Sequence, residues 1–189
     1  DLTNVQNINI INIGFRDAAA TYIDDWSAPS GGDWSLHRGG SLFLENVQNI
    51  NILNCSFERN DGNAIFLSKR TRNVVIDKCS FAWIGESAIA TWGETDHYDA
   101  TSGNQPRGTM ITNNIMREIG IYQKQSSGWG QAKTALSNIT NNIMFNMPRA
   151  AINFNDMMGG GDVVESNLIF NTCRESGDHG PINSWSRQP

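Results

Sequence analysis

Several features that mark other protein classes are missing from this sequence of 189 residues. No apolar run approaches the roughly 18 residues that a membrane-spanning helix needs, so we expect no membrane span. The N-terminal segment DLTNVQNINI lacks the basic start and the long apolar stretch of a secretion signal, which fits either a signal that has been removed or a chain that is a fragment. Basic residues form no stripe and the formal net charge is -5, which argues against a nucleic-acid partner.

Cysteines and helical patterns are also scarce. The three cysteines, Cys55, Cys79 and Cys173, do not form a metal-type cluster, and their odd number prevents complete pairing. No segment repeats apolar residues at the 3.6-residue period of a helix. Stretches such as NVQNINI and NVVID instead alternate apolar and polar residues, which predicts strands with one buried face.

What the sequence does contain is a repeat. The word ITNNIM occurs at 111–116 and again at 139–144. The apolar residue two places after the Asn-Asn slot recurs at intervals of 42, 24, 35, 28 and 25 residues, at Phe15, Phe57, Phe81, Met116, Met144 and Ile169. The short intervals define a unit of about 24 to 25 residues, and the two longest intervals indicate insertions at about 27–44 and 93–107. Six units make one domain over 1–189, which we interpret as a fragment of a longer solenoid.

Repeats of short strands stack as a solenoid, so equivalent residues of successive coils are expected to form ladders. One ladder at the Asn-Asn slot holds Asn12, Asn54, Lys78, Asn113, Asn141 and Ser166, and its neighbour holds Ile13, Cys55, Cys79, Asn114, Asn142 and Asn167. Another ladder, on a third strand, holds Ile23, Ile65, Ile89, Ile152 and Ile182. Isoleucines suit the interior, and stacked asparagines can pair polar groups at a bend.

Stacked coils of this length with Asn ladders resemble the right-handed parallel β-helix, the pectate-lyase-like group of carbohydrate-active proteins. The resemblance covers the whole chain and implies an all-β, right-handed parallel β-helix of about six coils with Asn and Ile ladders. Its implication for activity is less specific, because adhesins, phage tailspikes and structural proteins share this scaffold. The last coil, FNTCRESGDHGPINSWSRQP, is similar to a segment of β-helical glycoside hydrolases and lyases.

The residues beside the isoleucine ladder should point outward, because side chains alternate along a strand. The position after each isoleucine holds Asp24, Phe66, Ala90, Asn153 and Asn183, and the third position after it holds Trp26, Ser68, Trp92, Asn155 and Trp185. Flat tryptophan rings cover the apolar faces of sugars and amides match hydroxyl groups, so this pattern predicts a glycan-binding groove. The alternative is that the tryptophans pack beneath the long loops.

Catalytic candidates lie in the loops that border this face. In RESGDHG, Asp178 could orient His179 for acid–base work, although an adjacent Asp-His pair is also typical of a turn. Asp24 or Glu94 could supply a further carboxylate of a glycosidase pair. In GETDHYD, Asp96 and Asp99 are weak candidates for calcium ligands, and a solvated loop is the alternative. We expect no cofactor apart from calcium in this reading.

Cationic candidates suit an acidic polysaccharide. Arg174 and Arg187 could bind a carboxylate or sulfate group, although structural salt bridges are the alternative for each. Lys69 and Arg70 lie near the same edge. If the protein is a lyase, either of them could neutralise the charge of the substrate.

Together these residues predict a secreted or cell-surface protein that acts on a polysaccharide as a glycoside hydrolase or polysaccharide lyase. The competing prediction is a non-catalytic β-solenoid, either an adhesin or a structural component of an extracellular assembly. The partner in both cases is a polysaccharide or glycan, and further coils or subunits are expected at either end. Carboxylates that converge with His179 in a groove would favour an enzyme, whereas scattered groups on a flat face would favour binding.

Overall fold

The computed structural model describes residues 1–19, 37–155 and 159–185, and every regular element within them is a β-strand. Nineteen strands, numbered in chain order, form three sheets in which each strand pairs in parallel with its equivalent in the next coil. These ranges contain no helix of the length and apolarity that crossing a membrane requires. The expected all-β parallel β-helix is therefore confirmed.

Each coil contributes one strand to each sheet. Sheet 1 contains the strand before the Asn-Asn bend: β2 (Gln6–Ile11), β5 (Gln48–Leu53), β8 (Arg72–Asp77), β11 (Met110–Thr112), β14 (Asn138–Thr140) and β17 (Val163–Glu165). Sheet 2 follows the bend: β3 (Gly14–Arg16), β6 (Ser56–Asn60), β9 (Ser80–Ile84), β12 (Ile115–Ile119), β15 (Ile143–Phe145) and β18 (Leu168–Phe170). Sheet 3 completes the coil: β1 (Leu2–Thr3), β4 (Leu42–Glu45), β7 (Ile65–Ser68), β10 (Ile89–Trp92), β13 (Trp129–Ala132), β16 (Ile152–Phe154) and β19 (Ile182–Ser184).

The register of sheet 2 confirms the predicted repeat. The six anchor residues face one another in succession across the sheet: Phe15, Phe57, Phe81, Met116, Met144 and Ile169. The first three are phenylalanines whose rings stack in parallel, with centroids 4.8 and 4.9 Å apart. Offset aromatic stacking adds to the burial of these rings, so the column stabilises the interior of three coils.

The two asparagines of the ITNNIM bends have different tasks. The first has a left-handed backbone, with φ near +57° at Asn113 and +60° at Asn141, a conformation that asparagine tolerates better than most residues. The second is buried, and Asn142 donates hydrogen bonds from Nδ2 to the carbonyl of Ile111 and to Oδ1 of Asn167. The pair therefore turns the chain and joins one coil to the next, which confirms the predicted Asn ladder.

The third-strand ladder needs two corrections. Leu42 stands opposite Ile65 where Ile23 was expected, and Ile23 lies outside the described residues. Residues 42–45 form strand β4 of sheet 3, so the insertion expected at about 27–44 overlaps a regular strand at its end. Trp129, which the ladder did not include, stands opposite Ile89 and is fully buried.

The interior is apolar and the cysteines belong to it. Cys55 and Cys79 are buried in adjacent coils, and all three cysteines of the chain are free thiols. Burial raises the pKa of Cys79 to about 11, so this thiol stays protonated at neutral pH. In the last coil Leu168, Phe170 and Ile182 are exposed, and the expected further coils or subunits at this end stay a prediction.

Candidate functional site

The outer face of sheet 3 is only partly open to solvent. The row after the ladder holds Phe66 and Ala90, which are both fully buried, followed by Asn153 and Asn183 further along the sheet. Nδ2 of Asn183 donates a 2.7 Å hydrogen bond to Oδ1 of Asn153, so these predicted sugar-binding amides already pair with each other. The predicted continuous groove is thus closed over its apolar half, where the guanidinium of Arg38 lies 5.7 Å from the Phe66 ring centre.

The tryptophans of this face do not form one platform. Trp92 is half-buried at the end of β10, with the guanidinium of Arg38 4.7 Å from its ring centre. Trp185 is exposed and lies just after β19, three strands away. Because neighbouring strands are about 4.8 Å apart, the two backbones are separated by roughly 14 Å. Trp26 lies outside the described residues.

A charged cluster lies beside Trp92, where sheet 3 turns into sheet 1. Nζ of Lys69 lies 3.4 Å from Oε1 of Glu45 and 3.6 Å from Oε1 of Glu94. Both carboxylate oxygens are therefore within about 7 Å of each other, a spacing that glycosidases use. We call Arg38, Glu45, Lys69, Trp92 and Glu94 the turn cluster.

Backbone geometry fixes the members of the turn cluster. Glu45 ends strand β4, and Lys69 follows strand β7 in a left-handed conformation with φ of +53°. Gly93 leads from β10 to Glu94, and a Cβ at Gly93 would lie 2.3 Å from the carbonyl oxygen of Lys133, so only glycine fits this close approach. The carbonyl of Glu94 accepts a 2.8 Å hydrogen bond from Nε2 of Gln105, in the second insertion.

Hydrogen bonds hold one of the two carboxylates in place. Oε2 of Glu45 accepts a 2.7 Å bond from the Ser68 hydroxyl, and that hydroxyl oxygen in turn accepts a 2.5 Å bond from Arg38. Burial lowers the pKa of Arg38, while the charges of Glu94 and Glu45 raise it. The side chain of Glu94 is about half exposed, so it is the more accessible of the two carboxylates.

Sequence reasoning found Glu94 and Trp92 but missed Glu45 and Arg38. Glu45 stands opposite Ser68, at the same third position after the ladder that Trp92 and Trp185 occupy. A signal was present: NVQNINI follows both DLT at the N-terminus and LFLE before residue 46, which aligns Leu2 with Leu44. That alignment would have placed Leu42 in the ladder and Glu45 on the outer face.

The predicted Asp178-His179 pair does form. Nδ1 of His179 hydrogen-bonds Oδ1 of Asp178, and Nε2 of the same ring contacts the guanidinium of Arg149. Hydrogen bonds from Ser176 and His179 lower the pKa of Asp178. Since an arginine only donates, Nε2 faces the donor Arg149 while Nδ1 faces the Asp178 carboxylate. Both ring nitrogens are therefore engaged, and Arg149 would have to move before Nε2 could exchange a proton with a substrate.

His179 and Glu94 do not converge. Glu94 follows β10, whereas His179 precedes β19, and three inter-strand steps of about 4.8 Å separate these strands. Asp24, the other expected carboxylate, lies outside the described residues. The described residues predicted for acid–base work thus fall into two groups, one after the C-terminal end of a sheet 3 strand and one before the N-terminal end of another.

The remaining candidates are peripheral. Hydrogen bonds from the side chain and then the backbone of Thr101 lower the pKa of Asp99, and Asp96 is almost fully exposed. No group of three or more His, Cys, Asp or Glu residues in the described ranges is arranged to hold a metal ion. Arg174 is exposed next to the Asp178 loop, and Arg187 lies outside the described residues.

Fold and site together define an all-β parallel β-helix that carries a cluster of two carboxylates, two cations and a tryptophan at one corner. The chain matches no protein-family model, no curated protein and no solved structure at a significant level. The fold is therefore established by sheet topology, and the function has to be argued from the residues of the site.

Proposed function

We propose that this protein is a glycoside hydrolase that acts on a polysaccharide at the turn cluster. The observation that carries the proposal is the pair of carboxylates, Glu45 and Glu94, on either side of Lys69. Their spacing of at most about 7 Å admits either the short separation of retaining enzymes or the lower end of the range for inverting ones.

The environments of the two carboxylates suggest separate roles. Glu45 is held by Ser68 and Lys69, which suits a fixed carboxylate that acts as nucleophile or base. Glu94 is the more exposed, so it can reach the leaving oxygen of a bound glycan, and we assign proton transfer to that oxygen to Glu94. Trp92 offers an aromatic surface for a sugar ring once Arg38 yields its position over the indole. A polymeric substrate also favours a secreted or cell-surface location.

The test is incubation of the purified protein with a panel of neutral and acidic polysaccharides. Hydrolysis predicts new reducing ends without unsaturated uronates. Unsaturated uronates would instead assign the protein to the polysaccharide lyases, in which Lys69 would neutralise the uronate group.

A second candidate function is non-catalytic glycan binding within an extracellular assembly. The observation that favours it is that His179 and Glu94 do not converge, since three inter-strand steps separate them. Arg38 and Lys69 also balance the charge of the two carboxylates of the turn cluster. The exposed Leu168, Phe170 and Ile182 of the last coil also suit contact with further coils or subunits. Saturable binding of a polysaccharide without any product would support this alternative.

A further inference from the structure

A pocket lies where sheet 2 turns into sheet 3, at the other end of the sheet 3 strands from the turn cluster. Its volume is about 540 Å³, within the range of small-ligand sites, and its walls include Asp17, Glu58, Arg59, Asp61, Trp83 and Tyr122. None of these residues belongs to the turn cluster. The two corners are separated by the length of a sheet 3 strand, about 13 Å for four residues.

The first aromatic wall is Trp83. Its backbone is left-handed, with φ of +58°, and the equivalent residues of the other coils share this conformation: Asp17, Arg59, Glu118, Asn146 and Asn171. The ring is not packed into the core, because 46% of Trp83 is exposed. The coil bend therefore sets the backbone, and the exposed ring at this bend can stack on a ligand in the pocket.

The second aromatic wall is Tyr122, in the loop after β12. Its backbone N–H donates a 3.0 Å hydrogen bond to the carbonyl of Gly85, and 59% of the residue is exposed. A Cβ at Gly85 would lie 1.9 Å from the Asp61 carbonyl oxygen and 2.8 Å from Cδ2 of Tyr122. Only glycine at position 85 leaves room for Asp61 and Tyr122 to approach this closely. This close approach holds the Tyr122 ring beside the pocket.

The charge of the pocket is negative. Asp17, Glu58 and Asp61 line the pocket, where Arg59 bonds Asp17 at 2.8 Å and Glu58 at 2.7 Å. Arg16, which is not part of the wall, pairs with Asp17 at 2.7 Å, so one carboxylate remains in excess. Hydrogen bonds from Arg59 and Arg16 lower the pKa of Asp17 to about 2, so this carboxylate is ionised at neutral pH. Asp61 makes no side-chain hydrogen bond or ion pair with the described residues, which leaves its carboxylate available to a ligand.

We propose that this pocket binds an amino sugar unit of a glycan. A pyranose face stacks on the Trp83 indole, Tyr122 supplies a further aromatic contact, and the sugar ammonium group pairs with Asp61. An aromatic face attracts cations in addition to the apolar face of a sugar ring. The ammonium group is therefore attracted by the aromatic side chains and by the Asp61 carboxylate. Uronic acids are repelled by the negative charge, and neutral sugars leave the Asp61 charge unpaired. This site goes beyond the hydrolysis proposed above and does not depend on it.

The experiment is calorimetric titration of the full chain at pH 6 with a β-1,4-linked glucosamine tetramer. The N-acetylated tetramer and tetralysine serve as comparison ligands. We expect the glucosamine tetramer to bind at least tenfold more tightly than either comparison ligand. No saturable binding, or equal binding of the N-acetylated tetramer, would overturn the proposal, and tighter binding of tetralysine would replace the amino sugar with a basic peptide.

Variants locate the binding. Trp83→Asn removes the ring while providing a residue suited to the left-handed backbone, so we expect an intact fold and at least tenfold weaker binding. Asp61→Asn and Tyr122→Ala should each weaken binding at least tenfold, whereas Tyr98→Ala, which truncates an exposed tyrosine elsewhere, should leave it unchanged. Wild-type affinity in Trp83→Asn would overturn the site. Because binding is measured without turnover, a negative result here leaves the hydrolase proposal standing.

Discussion

Nδ2 of Asn114 donates a 2.9 Å hydrogen bond to Oδ1 of Asn142, the equivalent residue one coil further along the chain. The same Oδ1 accepts the backbone N–H of Asn114 at 3.0 Å, so one side-chain oxygen serves two donors of the neighbouring coil. These bonds explain the repeated word ITNNIM: its second asparagine joins the coils at a buried bend, where an unpaired polar group would be costly.

We predict that Asn142→Ala lowers the free energy of unfolding by about 2 to 3 kcal/mol, because it leaves buried donors and acceptors on both sides without partners. Asn141→Gly is the matched control, since residue 141 is exposed and glycine readily adopts its left-handed backbone. Urea unfolding measures both variants. Equal decreases in the free energy of unfolding of the two variants would show that the buried asparagine ladder contributes no stability beyond that of the turn.

Glu86 predicts a dependence of stability on pH. It is only 2% exposed, Oε2 has no hydrogen-bond partner among the described residues, and burial raises its pKa from 4.5 to about 7. Between about pH 4.5 and 7 the unfolded chain releases a proton that the folded chain keeps, so stability falls as pH rises through this window. The loss attributable to Glu86 should reach about 3 kcal/mol and stay constant at higher pH.

Glu86→Gln tests this dependence, because an amide of similar shape does not ionise. We expect the variant to gain about 2 to 3 kcal/mol relative to the wild type between pH 5 and pH 8, as measured by urea unfolding at both values. A difference between variant and wild type that is the same at the two pH values would refute the effect.

His179 is expected to stabilise the structure. Its replacement by alanine removes a partner of the buried Arg149 guanidinium, which should lower the free energy of unfolding by about 1 to 3 kcal/mol. Because both ring nitrogens are engaged, we expect any polysaccharide cleavage by His179→Ala to stay within about threefold of the wild-type rate at 20 °C. A loss of 100-fold or more in a folded variant would instead restore the acid–base role that the sequence predicts.

The parts of the fold that could be predicted from sequence are those in which each coil repeats its neighbour. The anchors from Phe15 to Ile169 and the pairs Asn114–Asn142 are visible because stacking imposes similar residues at equal positions. The sequence predicts Ile23 in the third-strand ladder, whereas Leu42 occupies that position. Apolar spacing alone does not distinguish an insertion before a strand from one after it.

The candidate site was harder to predict for the same reason. The insertion expected at about 27–44 overlaps strand β4, so the sequence does not predict Glu45 as part of the site. The sequence does predict Trp92 and Glu94 as candidates, because the repeat of their own coil is regular up to β10. Arg38 reaches the site from an insertion that no repeat constrains. The partner of His179 was also invisible, because Arg149 contacts it only through the stacking of separate coils.

The most direct test of the proposed function is the rate at which reducing ends appear from the best polysaccharide of the panel. We predict that Glu94→Gln and Glu45→Gln each lower this rate at least 100-fold while thermal unfolding shows that both variants are folded. Glu165→Gln, at an exposed position on sheet 1, is the control and should keep the wild-type rate. Wild-type rates in both turn-cluster variants, or no reducing ends from any polysaccharide with the wild-type protein, would contradict the account.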